Sequence, residues 1–264
     1  MLLTIRHTTS YRYETPVHYA LQRARVVPLS GPTQKVRSWK LDINGAREEV
    51  RFVDQFGNDT RLLSAEGDPH LIQIVAEGEV DTLDTTGIYG MHHGFAPLWL
   101  FLRETELTRP GEGIKAICDA LPAGAQLDQL HALIHAIRER VAYRPGATVV
   151  TTTAEEALAQ GEGVCQDHSH IFIACARHLG LPARYISGYL LMEGVDDQVA
   201  THAWAEVYLD SIGWIGFDVS NGISPDERYI RLAVGLDYRD AMPVSGIRAG
   251  HGVEELAVHI SVQQ

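Results

Sequence analysis

The chain has few of the features that direct a protein to nucleic acid or to a membrane. Its 22 Lys and Arg are outnumbered by 34 Asp and Glu, which gives a formal charge of −12, and it contains no basic run. Nucleic acid and anionic lipid both attract clustered Lys and Arg. No apolar run reaches the roughly 18 residues of a membrane-spanning helix. We therefore expect neither nucleic acid nor a membrane as a partner.

Cysteine is also scarce, with three residues in 264. The N-terminal segment MLLTIRHTTSYRY has too short an apolar stretch for a secretion signal and alternates like a β-strand. An odd number of cysteines without a signal indicates reduced thiols and predicts a cytoplasmic location. The apolar content of 45% is typical of a globular protein with a sizeable core.

The sequence pattern changes near residue 100, which predicts two domains. Residues 1–102 contain alternating segments such as LLTIRHTTSYRYE and EVRFVDQFGND, with a turn signal at Asn44-Gly45. Five or more short strands without a convincing helix favour a β-sandwich. Residues 103–264 contain both helical and strand-like periods, so we predict an α+β core there.

The second part begins with four helical patterns. LTRPGEGIKAICDAL and QLDQLHALIHAIRERVAY come first, and TTTAEEALAQGEG carries a capping box formed by Thr153 and Glu156. The fourth helix is predicted from about Cys165 to Leu179, ending at Gly180. Strand-like segments then follow: ARYISGYLLM, THAWAEVYL, GWIGFDV, RYIRLAVG and ELAVHISV.

The segment GEGVCQDHSHIF places Cys165 at the first turn of this helix, just after two glycines. A helix N-terminus carries unpaired N–H groups and about half a positive charge, which stabilises a thiolate. The same N–H groups could bind the oxyanion of an acyl-transfer intermediate, and Gly163 would let the backbone approach a substrate. The position suits a nucleophile, and a buried, inert cysteine is the common alternative.

A nucleophilic cysteine needs a histidine, and the histidine needs a group that orients it. THAWAEVYL places His202 at the start of a strand, on the same face as Trp204, and GWIGFDVS places Asp218 at the end of the next. Adjacent antiparallel strands would bring His202 and Asp218 side by side. Taken singly, His202 fits a strand-edge histidine and Asp218 a turn former. Only their combination with Cys165 indicates chemistry.

The order GVCQD, THAWAEVYL and GWIGFD resembles the transglutaminase-like superfamily, whose core carries a Cys-His-Asp triad in a papain-like fold. IRHTTSYRYETPV, VVPLSGPTQKV and DQFGND resemble the β-sandwich region that precedes this core in a bacterial group. The resemblance implies that region over residues 1–102 and a papain-like transglutaminase core over 103–264. It also implies that Cys165 is the nucleophile, His202 the general base and acid, and Asp218 the residue that orients His202.

Further residues around the triad are predicted to contact substrate or to support the triad: Gly163, Gln166, His168, Trp204 and Asn221. His168 lies one helical turn from Cys165, and a polar residue on a half-exposed face is an equally good interpretation. Asp167 is interpreted as a helix-terminal charge that satisfies backbone donors.

Metal binding is the main alternative use of this helix, because Cys165, His168, His170 and His178 all lie on it. They lack the paired short spacings of a structural zinc site, so we predict no metal and no cofactor. His170 is interpreted as an interior residue, and so are the two other cysteines, Cys118 and Cys175.

The implied reaction is acyl transfer at an amide bond of a peptide or protein, through a thioester on Cys165. Water as the acceptor gives a peptidase or amidase, and an amine gives a transglutaminase. The triad does not distinguish the two. We favour hydrolysis, because water is the default acceptor and no acidic cluster resembles a calcium loop. A non-catalytic peptide-binding protein is the rival, which an intact triad disfavours.

Overall fold

The computed structural model describes residues 1–195 and 197–264, and its first part is made of strands. These are β1 (Leu2–Tyr13), β2 (Tyr19–Ala24), β3 (Gln34–Asn44), β4 (Ala46–Val53), β5 (Asp59–Ala65), β6 (Leu71–Thr82) and β7 (Ile88–Gly90). A 3₁₀ turn at Leu98–Leu102 leads into the second part.

The second part mixes helices and strands. Its elements are α1 (Glu112–Asp119), α2 (Gln126–Arg140), β8 (Ala142–Tyr143), α3 (Ala154–Gln160), β9 (Glu162–Gly163), α4 (Cys165–His178), β10 (Ala183–Leu190), β11 (Asp197–Gln198), β12 (His202–Leu209), β13 (Gly213–Phe217), β14 (Tyr229–Gly235), α5 (Tyr238–Ala241), β15 (Val244–Ala249) and β16 (Glu254–Gln263). The four predicted helices are present. Within the described residues, no helix has the length and apolar character that crossing a membrane requires.

Two antiparallel sheets form the strand-rich part. One has the strand order β11-β16-β1-β6-β3, and the other has the order β15-β2-β5-β4. Apolar side chains from both sheets form the core between them, including Tyr11, Ile72 and Ile74 from the first sheet and Ala20 and Leu63 from the second. The predicted α+β fold, with a strand-rich region ahead of the core, is confirmed.

The last two strands do not follow the predicted division of the chain. We assigned residues 103–264 to the core, but β15 pairs with β2 and β16 pairs with β1, so residues 244–263 complete the two sheets of the sandwich. The short β7 does the reverse and pairs with β13 in the core sheet. The sequence does not show this, because alternation defines the buried face of a strand and not its partner.

The core sheet, in the order β14-β10-β12-β13-β7, is covered on both faces. On one face, Ala203, Ala205 and Val207 of β12 belong to the same buried cluster as Phe172 of α4. These small side chains let α4 lie close to the sheet. On the other face, residues of β10 and β14 pack against β1 of the sandwich, as Tyr189 does in the cluster that holds Ile5.

Strand β14 lies at the edge of the core sheet, and two side-chain amides from the N-terminal part satisfy its free backbone groups. Gln34 Nε2 donates to Arg231 O at 2.8 Å, and Gln34 Oε1 accepts from Arg231 N at 2.7 Å. Asn58 makes the same pair of bonds to the N–H and C=O of Val234, both at 2.8 Å. Buried backbone groups need such partners, so these bonds fix the sandwich against β14.

Replacing Asn58 with alanine should destabilise the protein, because the N–H and C=O of Val234 then lose their partners. Asp54 also loses a hydrogen bond of 3.0 Å from Asn58 Nδ2. We expect the free energy of unfolding in urea to fall by about 2–4 kcal/mol. The control Gln129→Ala removes an amide whose bond to Pro122 O is exposed, and should change it by less than about 0.5 kcal/mol. Equal losses would contradict the role given to Asn58.

Candidate active site

Cys165 is the first residue of α4, and the turn before it is shaped by Asp167. α3 ends at Gly161, which has a left-handed φ of 74°. Asp167 Oδ2 folds back and accepts the N–H of Val164 at 2.8 Å, as predicted for a helix-terminal charge. Burial raises the pKa of Asp167 despite this bond. Gly163 is buried, and a Cβ there would lie 2.8 Å from the Cβ of Asp167. The missing Cβ at Gly163 therefore makes room for the Asp167 side chain, and a substrate contact at Gly163 stays a prediction.

The three predicted triad residues come together at one end of the core sheet. His202 begins β12, and Asp218 directly follows β13, which pairs antiparallel with β12. His202 Nε2 lies 2.6 Å from Oδ2 of the fully buried Asp218. The Cys165 side chain lies near enough to His202 to raise the pKa of the imidazole. Because Nε2 is engaged by Asp218, Nδ1 is the imidazole nitrogen left for the thiol.

Two other residues donate to the Asp218 carboxylate. The Tyr229 hydroxyl donates to Oδ2 at 2.6 Å, and Asn221 Nδ2 donates to the same oxygen at 2.7 Å. The Asn221 N–H donates to Oδ1 at 3.2 Å. Burial alone would raise the pKa of Asp218, but the bond and charge of His202, together with these donors, lower it. Asn221, predicted as a supporting residue, lies in direct contact with Asp218.

The proton on His202 is held by its neighbours. Burial alone would lower the pKa of His202, but the hydrogen bond to Asp218, the interaction with Cys165 and the charges on both groups raise it to about 10. His202 is therefore protonated at neutral pH, with the Asp218 carboxylate and the Cys165 sulfur as its neighbours. Such a group can release a proton to a reacting atom and recover one from water.

Aromatic rings enclose His202. Trp204 stacks on its imidazole with ring centroids 6.4 Å apart, and Tyr229 lies 5.9 Å away at 59°. Trp204 also meets Tyr229 edge-on at 5.5 Å. Gly188 of β10 leaves room for the Trp204 ring in this position, because a Cβ at residue 188 would come within 2.5 Å of that ring. Trp204 therefore lies beside the triad, as predicted, and is itself buried.

His168 is buried, so the interpretation as a half-exposed polar residue is wrong. Its Nε2 donates to Val141 O at 3.0 Å, because a carbonyl can only accept. Its Nδ1 therefore accepts the Ser220 hydroxyl at 2.9 Å. Burial lowers the pKa of His168, which fits a neutral ring. His168 thus ties the first turn of α4 to the loop that follows Asp218.

Gln166 is partly exposed in the first turn of α4, and its Nε2 donates to Val150 O at 3.2 Å. A substrate contact for Gln166 stays a prediction. Three further residues lie at the site without having been predicted there: Tyr229, Ser220 and Tyr143. Tyr143 is half-exposed, and burial together with the charges on Cys165 and Asp218 raises its pKa to about 12. No local pattern distinguishes these residues, because strand pairing and loop contacts bring them to the site.

Three of the remaining candidates on and near α4 are interior residues, whereas His178 at the end of the helix is exposed. Cys118 and Cys175 are buried, and His170 Nε2 accepts the Tyr238 N–H at 3.2 Å. Burial lowers the pKa of His170 to about 3. These placements match the predicted interior positions. In residues 1–195 and 197–264, no group of three or more His, Cys, Asp or Glu is placed to hold a metal.

Two family models match the chain. Residues 3–81 match the bacterial transglutaminase-like N-terminal region, and residues 115–219 match the transglutaminase-like superfamily. A curated protein of Mycobacterium bovis (strain ATCC BAA-935 / AF2122/97), Mb2599c, is 31% identical over 271 residues, which cover 92% of this chain and 86% of that protein. The chain belongs to the transglutaminase-like superfamily. All three candidate triad residues lie within the matched core.

Other relatives of this transglutaminase-like protein share its full length. The protein ML0607 of Mycobacterium leprae (strain TN) is 27% identical over 275 residues, covering 98% of each chain. A crystal structure from Cytophaga hutchinsonii, reported as "a Putative Cysteine Protease", is 22% identical with a TM-score of 0.80. It covers 100% of this chain and 90% of its own. The strand-rich region and the core therefore occur together in another protein with this fold.

Iodoacetamide at neutral pH should label Cys165 and leave the other two cysteines unmodified. Cys165 is partly exposed at the helix start, whereas Cys118 and Cys175 are 7% and 0% exposed. Peptide mapping after a short exposure measures the three yields separately. Equal labelling in the folded protein would contradict the proposed accessibility, and labelling after denaturation provides the control in which all three thiols react.

The raised pKa of His202 predicts a loss of stability at high pH. The folded protein holds this proton up to about pH 10, whereas the unfolded chain releases it near 6.5. The contribution of the His202 proton to the free energy of unfolding is therefore fully present below about pH 6.5 and is lost as the pH rises through about 10. We would measure this contribution by comparing the unfolding free energies of the unmodified protein and of His202→Gln over this pH range. A difference independent of pH would show that His202 has an ordinary pKa.

Proposed function

We propose that this protein is a thiol-dependent enzyme that cleaves amide bonds of peptides or proteins by acyl transfer to water. The observation that supports this most is the convergence of Cys165, His202 and Asp218. The imidazole lies 2.6 Å from a fully buried carboxylate, and the Cys165 side chain is near enough to raise the pKa of that imidazole. A nucleophile, a proton carrier and an orienting group are the parts that such chemistry needs.

The proposed reaction has two halves. The Cys165 sulfur attacks the amide carbonyl, and the tetrahedral intermediate collapses to a thioester as His202 protonates the departing amine. Neutral His202 then takes a proton from water, and the hydroxide formed attacks the thioester to release the acid. The thiolate returns beside protonated His202. Asp218 holds the imidazole in one orientation and stabilises its positive charge through both halves.

The start of α4 supplies a place for the oxyanion. The first N–H groups of a helix have no intrahelical acceptor, and those of Cys165 and Gln166 belong to this turn. They lie next to the attacking sulfur, where negative charge develops on the carbonyl oxygen. Cys165 and Gln166 thereby supply both the attacking sulfur and the N–H groups that stabilise the negative charge on the carbonyl oxygen.

Water as the acceptor rests on general chemistry, and the name of the Cytophaga hutchinsonii relative describes the same hydrolytic activity. An amine acceptor would make the enzyme a transglutaminase without any change in the first half-reaction. A cytoplasmic location is part of the proposal, since the three cysteines are free thiols.

Cys165→Ala should abolish turnover and leave the fold nearly unchanged. The thiol is partly exposed and packs at the margin of the core, so we expect a stability change below about 1 kcal/mol and an activity loss of about 10³-fold or more. Cys118→Ala is the matched control: it should keep activity but lose stability, because it leaves a buried cavity. His202→Ala should approach the loss of Cys165→Ala, and Asp218→Asn should be milder.

The assay is release of product from a panel of peptide amides and glutamine amides, with and without a primary amine. Incorporation of the amine into product would identify a transglutaminase. If the unmodified protein cleaves no amide or ester while Cys165→Ala loses several kcal/mol of stability, Cys165 is a structural cysteine and the proposal is wrong.

A further inference from the structure

A cavity of about 500 Å³ lies on the face of the core sheet opposite α4, where the sandwich meets the core. Its lining includes Leu29 and Phe56 from the N-terminal part and Tyr89, Arg184, Trp214 and Arg231 from the core. None of these residues belongs to the candidate active site. The volume falls in the range of sites that hold small molecules.

Two arginines in this cavity share one carboxylate. Arg184 Nε donates to Glu206 Oε2 at 2.6 Å, and Arg231 Nη2 donates to the same oxygen at 3.0 Å. The side chains of Arg184 and Glu206 are 8% and 5% exposed. Two guanidinium charges against one carboxylate leave one positive charge unmatched in a buried setting, within a chain of net charge −12. Such a charge is costly unless an anion pairs with it.

One donor of the arginine pair also lacks an acceptor. Arg231 Nε is buried without a hydrogen-bond partner, whereas Arg184 Nη2 pairs with Glu206 Oε2 at 2.5 Å. Burial lowers the pKa of Arg184 to about 10, so it stays charged at neutral pH. A buried donor without an acceptor costs about 1–3 kcal/mol, which a ligand oxygen would remove.

Aromatic rings fix the two guanidinium groups. Arg184 lies 3.8 Å from the centroid of the Trp214 ring, and Arg231 lies 4.2 Å from that of Tyr89. In each pair the aromatic ring covers the flat face of the guanidinium group. The N–H groups point out from the edge of that plane, where they can donate to a planar acceptor such as a carboxylate. Phe56 and Leu29 supply an apolar wall for the rest of a ligand.

We propose that this cavity binds a small organic anion, with its carboxylate on Arg184 and Arg231 and an apolar or aromatic body against Phe56 and Leu29. The site is separate from the acyl-transfer chemistry. Glu206 and His202 lie four residues apart on β12, about 13 Å along the strand. Binding can therefore be measured whether or not the protein cleaves amides.

The test uses phenylacetate and its neutral isostere phenylacetamide with the unmodified protein, by calorimetry and by the emission of Trp214 and the other tryptophans. We expect the acid to bind at least 10-fold more tightly than the amide. Arg231→Gln should weaken the binding of phenylacetate at least 10-fold, because it removes one of the two guanidinium groups. Glu206 keeps Arg184 as a partner in this variant. The control Arg228→Gln alters an arginine that pairs with Asp226 and should change affinity less than 2-fold.

Equal binding of acid and amide, or no binding of either at 10 mM, would overturn the proposal and make the arginine pair purely structural. This comparison needs no variant, so it stands even if Arg231→Gln does not fold. The dipeptide Gly-Phe and its C-terminal amide distinguish the source of the carboxylate. Tighter binding of Gly-Phe than of phenylacetate indicates a peptide C-terminus, and weaker binding indicates a free acid.

Discussion

The buried negative charge of Asp218 is the constraint on which the candidate site depends. A fully buried carboxylate without partners would cost several kcal/mol, and here donors from three parts of the fold converge on it. They come from His202 at the start of β12, Asn221 in the turn after β13 and Tyr229 at the start of β14. Any shift of these elements would leave the charge unpaired. The strand arrangement and the site geometry are therefore maintained together.

This constraint gives the N-terminal part a role in the site. Tyr229 begins β14, and the outer edge of β14 is held by the side-chain amides of Gln34 and Asn58. The sandwich contributes no atom to the triad. It fixes the strand that carries one of the donors to Asp218, so the precision of the Asp218 contacts depends partly on residues that precede the core. The two regions thus act as one structural unit at this point.

The helices and the segments that carry the three candidate triad residues could be predicted because their signals are local. The capping box at Thr153, the start of α4 at Cys165 and the alternating strand of His202 each occupy one short segment. The partners of β15 and β16 could not be predicted, since alternation does not name a neighbouring strand. Tyr229 was not predicted for the same reason, because its approach to Asp218 depends on the position of β14 in the sheet.

The pairing of β16 with β1 has a consequence for how the chain is made. β16 lies between β11 and β1, so the sheet that begins with Leu2–Tyr13 is completed only by Glu254–Gln263. At roughly 5–20 residues per second, a ribosome takes about 10–50 s to produce the intervening chain. During that interval the nascent protein carries β1 with an open hydrogen-bonding edge, available to other nascent chains or to chaperones.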